Sequence, residues 1–183
     1  MPKYRRVIIK GGTYFITLVT FNRLNVFSIP DNRDLFIKSI LHVKKYHPFH
    51  LQAYCILPDH IHLLIRLPED EDNISLRISE IKKRFSKLYS KSFGPSQAKI
   101  DRLVPLGRSG FWQQRFWEHT IRNEEDLHRH IDYIHYNPVK HGLVNQVRGW
   151  PSSSFFDYVK AGNYDIDWGE AYHGDNEKHT YGE

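Results

Sequence analysis

Residues 51–67 of the chain read LQAYCILPDHIHLLIRL, and this stretch predicts the centre of the fold. Two apolar runs, Leu51–Leu57 and Ile61–Leu67, are separated by the turn dipeptide Pro58-Asp59. Apolar runs of this length around a turn signal are typical of an antiparallel hairpin. We therefore expect a β-sheet built around these two strands.

Two histidines, His60 and His62, stand at the start of the second strand of this hairpin. Successive side chains of a strand point to opposite faces, so the two imidazoles share one face and Ile61 takes the other. A pair of imidazoles on one face is a candidate site for one metal ion.

The rest of the chain alternates between strand-like and helix-like patterns. In the first half we expect a strand over Thr13–Phe21, a helix over Arg33–Tyr46 capped by Asp31, and a helix over Ser75–Lys91. In the second half we expect a strand or hairpin over Phe111–Arg122, then a helix that begins after Asn123 and ends at Asn137, before Pro138. A turn with a short helix should follow in residues 149–162. The connection Ser92–Gly110 is too long for a simple turn. This order predicts an α+β fold, most simply a ferredoxin-like antiparallel sheet with packed helices. We expect one domain over residues 1–168 and a polar tail over residues 169–183.

Composition narrows the class of protein. Hydrophobic residues make up 40% of the 183 residues and aromatic residues 14%, which indicates a folded globular chain. The formal charge of +5 and the isoelectric point near 9.2 favour an acidic partner such as nucleic acid. Cys55 is the only cysteine, so a disulfide or a cysteine-based zinc site within one chain is excluded. No apolar run is long enough for a membrane span or a signal peptide, so we expect a cytoplasmic protein.

A second constellation lies on the predicted helix after Asn123. Tyr133 and Asn137 are four residues apart and share a helix face with His130. If this face lies over the histidine pair, the Asn137 amide oxygen completes a three-ligand set that suits Mg²⁺ or Mn²⁺. Tyr133 would then be the nucleophile that attacks a phosphodiester. A phenol has an unperturbed pKa of about 10, so a metal or a nearby cation must help it to lose its proton.

Each of these features also has a purely structural interpretation. A histidine pair on a strand is more often half-buried polar packing, a lone helical tyrosine is more often an amphipathic core-edge residue, and Asn137 before a proline is more often a helix terminator. Trp112, Phe116 and Trp117 are more naturally core residues than platforms for stacked bases. Only the combination of the histidine pair with the tyrosine and the asparagine favours a catalytic site.

Several longer sequence motifs support the catalytic interpretation of these residues. They are KGGTYFITLVTFNR at residues 10–23, LPDHIHLL at 57–64, WQQRFWEHTIR at 112–122, HIDYIHYNPVKHGLV at 130–144 and GWPSSSF at 149–155. Together they resemble the REP-associated tyrosine transposases, which belong to the single-tyrosine HUH transposases. The resemblance runs from about Tyr4 to Trp168 and keeps the order of the motifs.

The resemblance implies a ferredoxin-like HUH endonuclease domain and a divalent cation. It places the metal ligands at His60, His62 and Asn137 and the nucleophile at Tyr133. It implies cleavage of single-stranded DNA through a 5′-phosphotyrosine with a free 3′-hydroxyl, at folded-back repetitive extragenic palindromes. A monomer associated with the nucleoid is the expected form, with a dimer as the alternative.

Basic residues elsewhere are candidate contacts to DNA phosphates. They are Lys3, Arg5 and Arg6 at the start, Lys82, Lys83, Arg84 and Lys87 on the second helix, and Arg102 and Arg108 in the long connection. Two other functions stay open at this point. One is a non-catalytic, regulatory DNA-hairpin-binding protein with the transposase fold, and the other is an RNA-binding module.

Overall fold

The computed structural model describes residues 9–93 and 111–169. Its strands are β1 (Thr13–Val19), β2 (His50–Ile56), β3 (His60–Arg66) and β4 (Trp117–Thr120), and its helices are α1 (Pro30–Tyr46), α2 (Ile74–Phe93), α3 (Glu124–Lys140) and α4 (Phe155–Lys160). Single 3₁₀ turns lie at Phe21–Arg23, Val26–Ser28 and Val147–Gly149.

The four strands form one antiparallel sheet in the order β2-β3-β1-β4. The chain order β1-α1-β2-β3-α2-β4 with this strand order is the ferredoxin-like topology, so the predicted fold is confirmed. The register places Thr17 of β1 opposite His62 of β3, and Val19 opposite His60. The two histidines therefore lie on the central strands at one end of the sheet.

Each face of the sheet packs on different helices. Alternate side chains of β1 and β3, such as Ile16 and Leu63, belong to the larger core together with residues of α1 and α2 such as Phe36 and Phe85. The opposite side chains, such as Phe15, form a smaller core with α3 and the segment that follows it. Because the strand period is two, the histidines share the α3 side.

The C-terminal segment covers an edge of the sheet that would otherwise be open. The backbone N–H of Ile56 donates to the Ser152 carbonyl at 2.9 Å, and that of Ser154 donates to the Tyr54 carbonyl at 3.0 Å. The Trp150 indole N–H also donates to the carbonyl oxygen of Ile56 at 3.1 Å. These bonds pair the end of β2, which would otherwise expose backbone groups that favour association.

Several predicted element ends were wrong. The first strand ends at Val19, and α1 begins at Pro30 with Ile29 in the capping position, so Asp31 lies in the first turn instead of capping it. Proline suits the first helical position because its φ is already helical and its missing N–H would have had no partner there. The predicted strand or hairpin at residues 111–122 contains only the four-residue strand β4.

The most consequential correction concerns α3, which continues through Pro138 to Lys140 instead of ending at Asn137. A proline inside a helix removes one backbone hydrogen bond, but it does not stop the next residues from adopting helical geometry. Here the His141 N–H donates to the Asn137 carbonyl at 3.0 Å, which continues the hydrogen-bond ladder past the proline.

The connection that we predicted over Ser92–Gly110 begins later, since Ser92 and Phe93 still belong to α2. The rest of it, and the predicted tail beyond Gly169, lie outside the described residues. None of the helices in the described ranges combines the length and the apolar character that crossing a bilayer needs.

Candidate active site

The histidine pair is buried at the α3 side of the sheet. His60 is 1% exposed and His62 0%, and their ring centroids are 4.9 Å apart. Nδ1 of His60 donates to Oδ1 of Asp59 at 2.6 Å, and Nδ1 of His62 shares a 3.0 Å hydrogen bond with the Thr17 hydroxyl. Within the described part of the chain, Nε2 of His60 is buried and has no hydrogen-bond partner.

Asp59 fixes how His60 presents that nitrogen. Burial alone would raise the pKa of Asp59, but hydrogen bonds and charge from His60 and Arg23 outweigh burial and lower the pKa to about 2. The Arg23 guanidinium lies 2.9 Å from the carboxylate. A carboxylate that accepts from one imidazole nitrogen directs the lone pair of the other nitrogen outward, as in metal-ligating histidines.

His62 is held in the neutral form that binds metals. Burial is the main cause that lowers its pKa well below the usual value, and the nearby His60, His141 and Lys140 lower it further. The nearby Asn137 side chain acts in the opposite direction and raises the pKa of His62. Asn137 of α3 therefore lies beside the histidine pair of the sheet.

Tyr133 lies one helical turn before Asn137, on the same side of α3. Its ring centroid is 5.3 Å from that of His62 and 5.9 Å from that of Phe15, in both cases edge to face. The tyrosine is half-buried, whereas Asn137 is fully buried. The predicted helix face therefore does lie over the histidine strand, with its tyrosine at the rim.

Two residues that sequence reasoning missed complete this side of the site. Nζ of Lys140 donates to the Tyr133 hydroxyl oxygen at 3.2 Å and lies 4.7 Å from the centre of the phenol ring. The His141 ring centroid is 5.0 Å from that of His60, and burial is the main cause that lowers the His141 pKa to about 4. The spacing of Lys140, seven residues after Tyr133, is the signal that could have found it, had the helix been extended past Pro138.

The donors at this site fit a divalent cation. Two buried imidazoles and an amide oxygen converge, and the Nε2 atom of His60 is a buried nitrogen that lacks a partner among the described residues. Buried polar atoms in proteins are normally hydrogen-bonded or coordinated, so an orphan of this kind indicates a ligand. Imidazole nitrogen with amide oxygen suits Mn²⁺, and oxygen ligands suit Mg²⁺.

His130, which we placed on the same face as Tyr133, belongs to a different cluster. Its ring is stacked on that of His119 with centroids 4.6 Å apart, and Phe15 separates it from His62. His119, Asp126 and His130 thus form a separate His/Asp cluster. Of the three aromatic residues that we expected in the core, Trp112 is buried, while Phe116 and Trp117 pack against the two cores as partly buried residues.

The residues predicted to contact DNA phosphates lie either apart from the active-site residues or outside the described residue ranges. Helix α2 packs on the opposite face of the sheet from the histidine pair. There Lys83, Arg84 and Lys87 line a groove of about 290 Å³ at the α1–α2 contact, although Lys83 also pairs with Glu80 at 2.6 Å. Lys82 donates to the Gln113 carbonyl at 2.8 Å, and burial lowers its pKa to about 8. Lys3, Arg5, Arg6, Arg102 and Arg108 fall outside the described residues.

The chain is similar to known proteins over almost its whole length. Residues 8–137 match the family described as "Transposase IS200 like", so the ferredoxin-like sheet and its tyrosine helix are those of an IS200-like transposase. A REP-associated tyrosine transposase of Escherichia coli is 41% identical over 92% of this chain and 91% of that protein. A protein of Haemophilus influenzae, provisionally given the same name, is 45% identical over 92% of this chain and 94% of its own length.

A solved structure supports the same assignment. The structure of a REP-associated tyrosine transposase bound to a REP hairpin superposes with a TM-score of 0.81 at 40% identity, covering 100% of this chain and 98% of that one. This chain belongs to the REP-associated tyrosine transposases, within the IS200-like family.

Proposed function

We propose that this protein is a single-stranded DNA endonuclease and strand transferase that acts on palindromic repeat hairpins. It would cut through a covalent 5′-phosphotyrosine on Tyr133, with a divalent cation held by His60, His62 and Asn137. The observation that carries the proposal is the position of Tyr133, whose ring lies edge-on to His62 and whose hydroxyl accepts from Lys140. The family membership and the hairpin bound to the similar solved protein support the substrate class.

The proposed reaction is an in-line displacement at phosphorus. The Tyr133 oxygen loses its proton and forms a bond to the phosphorus, while the bond from phosphorus to the 3′-oxygen breaks and that oxygen takes up a proton. The product is a 5′-phosphotyrosine and a free 3′-hydroxyl. Attack by another 3′-hydroxyl reverses the displacement, releases Tyr133 and joins the DNA to a new end.

The residues around Tyr133 have distinct parts in this scheme. Lys140 holds the phenol oxygen by a hydrogen bond and stabilises negative charge as the proton leaves. His60, His62 and Asn137 would hold the cation, with Asp59 orienting His60. When bound there, the cation supplies Lewis-acid polarisation of the scissile phosphate. Phe15, stacked on His62, excludes water from the inner side of the pair.

The direct test is Tyr133→Phe, which keeps the ring packing and removes only the nucleophilic oxygen. We expect the covalent adduct with a single-stranded hairpin oligonucleotide, formed in the presence of Mn²⁺, to disappear, while hairpin affinity stays close to that of the unmodified protein. Tyr136→Phe, on the same helix, is the matched control and should still form the adduct. Continued cleavage by the Tyr133→Phe variant would disprove the assigned nucleophile.

The same oligonucleotides distinguish DNA cleavage from the two alternative functions, regulatory hairpin binding and RNA binding. A protein that binds the hairpin tightly but never forms an adduct, with any divalent ion, would be the regulatory hairpin-binding protein. Preference for the RNA hairpin over the DNA hairpin of identical sequence would instead indicate an RNA-binding module.

The basic residues of α2 are proposed to contact the hairpin stem at a distance from the cleaved phosphate. Each lost phosphate contact on duplex DNA reduces the slope of log affinity against log salt by about 0.9. Lys87→Ala should therefore weaken binding and flatten that slope without lowering the cleavage rate at saturating protein concentration. An unchanged salt slope would remove Lys87 from the interface.

One copy of the chain contains the histidine pair and the tyrosine in contact with each other. We therefore propose that the active form is a monomer. Light scattering of the hairpin complex should give the mass of one protein chain per hairpin. Restoration of cleavage on mixing Tyr133→Phe with a histidine-pair variant would indicate a dimer that shares its sites.

A further inference from the structure

A second group of metal-ligating side chains lies outside the active site, where β4 meets the first turns of α3. Nε2 of His119 is 2.8 Å from Oδ2 of Asp126, and Nδ1 of His130 is 3.2 Å from Oδ1 of the same carboxylate. One ligand atom from each of the three side chains lies within 4.8 Å of the other two. Asp126 and His130 are buried, while the His119 side chain is 22% exposed.

The local structure holds these groups in place. Asn123 caps α3 by accepting from the Asp126 N–H at 2.8 Å, which places Asp126 in the first helical turn. His130 follows one turn later, and its Nδ1 lies 2.7 Å from the main-chain carbonyl oxygen of Asp126. His119 reaches the same point from β4, because it pairs with Phe15 and so faces α3.

This cluster is separate from the histidine pair of the active site. The Phe15 ring lies between the two, with its centroid 5.3 Å from that of His62 and 4.9 Å from that of His130. A hydrocarbon ring offers no ligand, so one ion cannot be shared across it. The two groups also differ in chemistry, since this one contains a carboxylate that carries a full charge.

Two imidazoles and one carboxylate are a ligand set that Zn²⁺ binds in proteins, with a water molecule in the fourth position. The exposed edge of His119 leaves a side open to solvent through which the ion and that water can enter. Binding would replace the hydrogen bond that the His119 imidazole now makes to the Asp126 carboxylate. The three ligand atoms already lie within 4.8 Å of one another, on two packed elements of the fold.

We propose that His119, Asp126 and His130 form a second metal site, specific for a Zn²⁺-class ion, that fastens the start of the tyrosine helix to the edge strand β4. The site goes beyond the proposed cleavage reaction, and its ion would not touch the DNA. It would act on α3 as a structural clamp.

The test measures metal stoichiometry in the full-length chain after removal of metals with a chelator. In a background where His60→Ala and His62→Ala remove the active-site pair, we expect one equivalent of Zn²⁺ to bind, with an increase in Tm and a tetrahedral Co²⁺ absorption spectrum. Adding His119→Ala should weaken this binding by at least about 10- to 100-fold. His128→Ala, an exposed histidine of the same helix, is the matched control and should change nothing.

Two outcomes would overturn the proposal. One is the absence of Zn²⁺ binding in the His60→Ala/His62→Ala background, which would leave the cluster as a hydrogen-bonded network. The other is binding that His119→Ala does not weaken. Because the readout is metal stoichiometry in a chain without the active-site histidines, either result leaves the proposed cleavage reaction untouched. Circular dichroism of the His119→Ala variant would verify that loss of binding is not loss of fold.

Discussion

Replacement of Lys140 by methionine should slow DNA cleavage without preventing DNA binding. The ammonium donates to the Tyr133 oxygen at 3.2 Å, and this bond strengthens as the phenol becomes an anion. Hydrogen bonds to charged groups contribute about 1.5–3 kcal/mol. Lys140 is exposed to solvent, which screens the interaction, so the lower end of that range applies. We expect the cleavage rate to fall about 10- to 30-fold, since roughly 1.4 kcal/mol corresponds to a factor of ten.

The assay is single-turnover adduct formation on a hairpin oligonucleotide at saturating protein and Mn²⁺, repeated across a range of pH. In the Lys140→Met variant the rise of rate with pH should move to higher pH, because the phenol loses the cation that helps it to ionise. The difference from the unmodified protein should shrink at the most alkaline pH, where the lysine itself loses its proton. Although Lys140 is largely exposed, partial burial of its side chain lowers its pKa, so this convergence should begin earlier than for a free lysine.

Two controls separate this role from a simple phosphate contact. Lys140→Arg keeps a donor and a positive charge and should retain most of the rate. Lys160→Met removes an exposed lysine from α4 and should have no effect on the rate. If Lys140→Met cleaves at the normal rate at saturating protein and loses only affinity, the lysine binds DNA and does not assist Tyr133.

Three further predictions concern the metal, the thiol and the core. Asp59→Asn removes the charge that orients His60, so calorimetry should give a Mn²⁺ affinity weaker by about 10- to 100-fold, and an unchanged affinity would exclude this role. Cys55 is 0% exposed, and its burial raises the pKa of the thiol. A thiol reagent should therefore react with the native protein only at the rate of unfolding, and rapid labelling in buffer would contradict this. Phe36 is fully buried against Phe27 and Phe85. The substitution Phe36→Ala should therefore lower the free energy of unfolding, measured by urea titration, by about 3–5 kcal/mol. A loss below about 1 kcal/mol would show that the core closes over the cavity.

The fold was accessible from the sequence because its signals are local. The apolar runs on either side of Pro58-Asp59 pair directly as β2 and β3, and strand periodicity alone puts His60 and His62 on one face. The ends of the strands and helices were harder to predict from the sequence. β1 ends at Val19, and beyond it the Phe21 N–H bonds to the Phe111 carbonyl, a contact between distant parts of the chain that no local pattern contains.

A charge or face pattern in the sequence does not show which intramolecular partner each side chain has. Lys82 stays a predicted phosphate contact, and its ammonium also donates to the Gln113 carbonyl and lies 5.9 Å from the Trp112 ring centre. Likewise His130 shares a helix face with Tyr133, yet its ring faces His119 across a different contact. A helical face tells which side chains are neighbours, but the partner beneath each one depends on how the helix crosses the sheet.

Pro138 explains both what sequence reasoning missed and how the site is built. The rule that helices end before proline placed the end of α3 at Asn137, which removed Lys140 and His141 from consideration. In the folded chain the proline omits only its own backbone hydrogen bond, so the last turn is held to the rest of α3 less firmly than an ordinary turn would be. The position of that turn then depends on contacts with the site, namely Lys140 with the Tyr133 hydroxyl and His141 with His60. The lysine and the nucleophile are thus coupled through the same turn, and a change that displaces His141 should also withdraw Lys140 from the tyrosine.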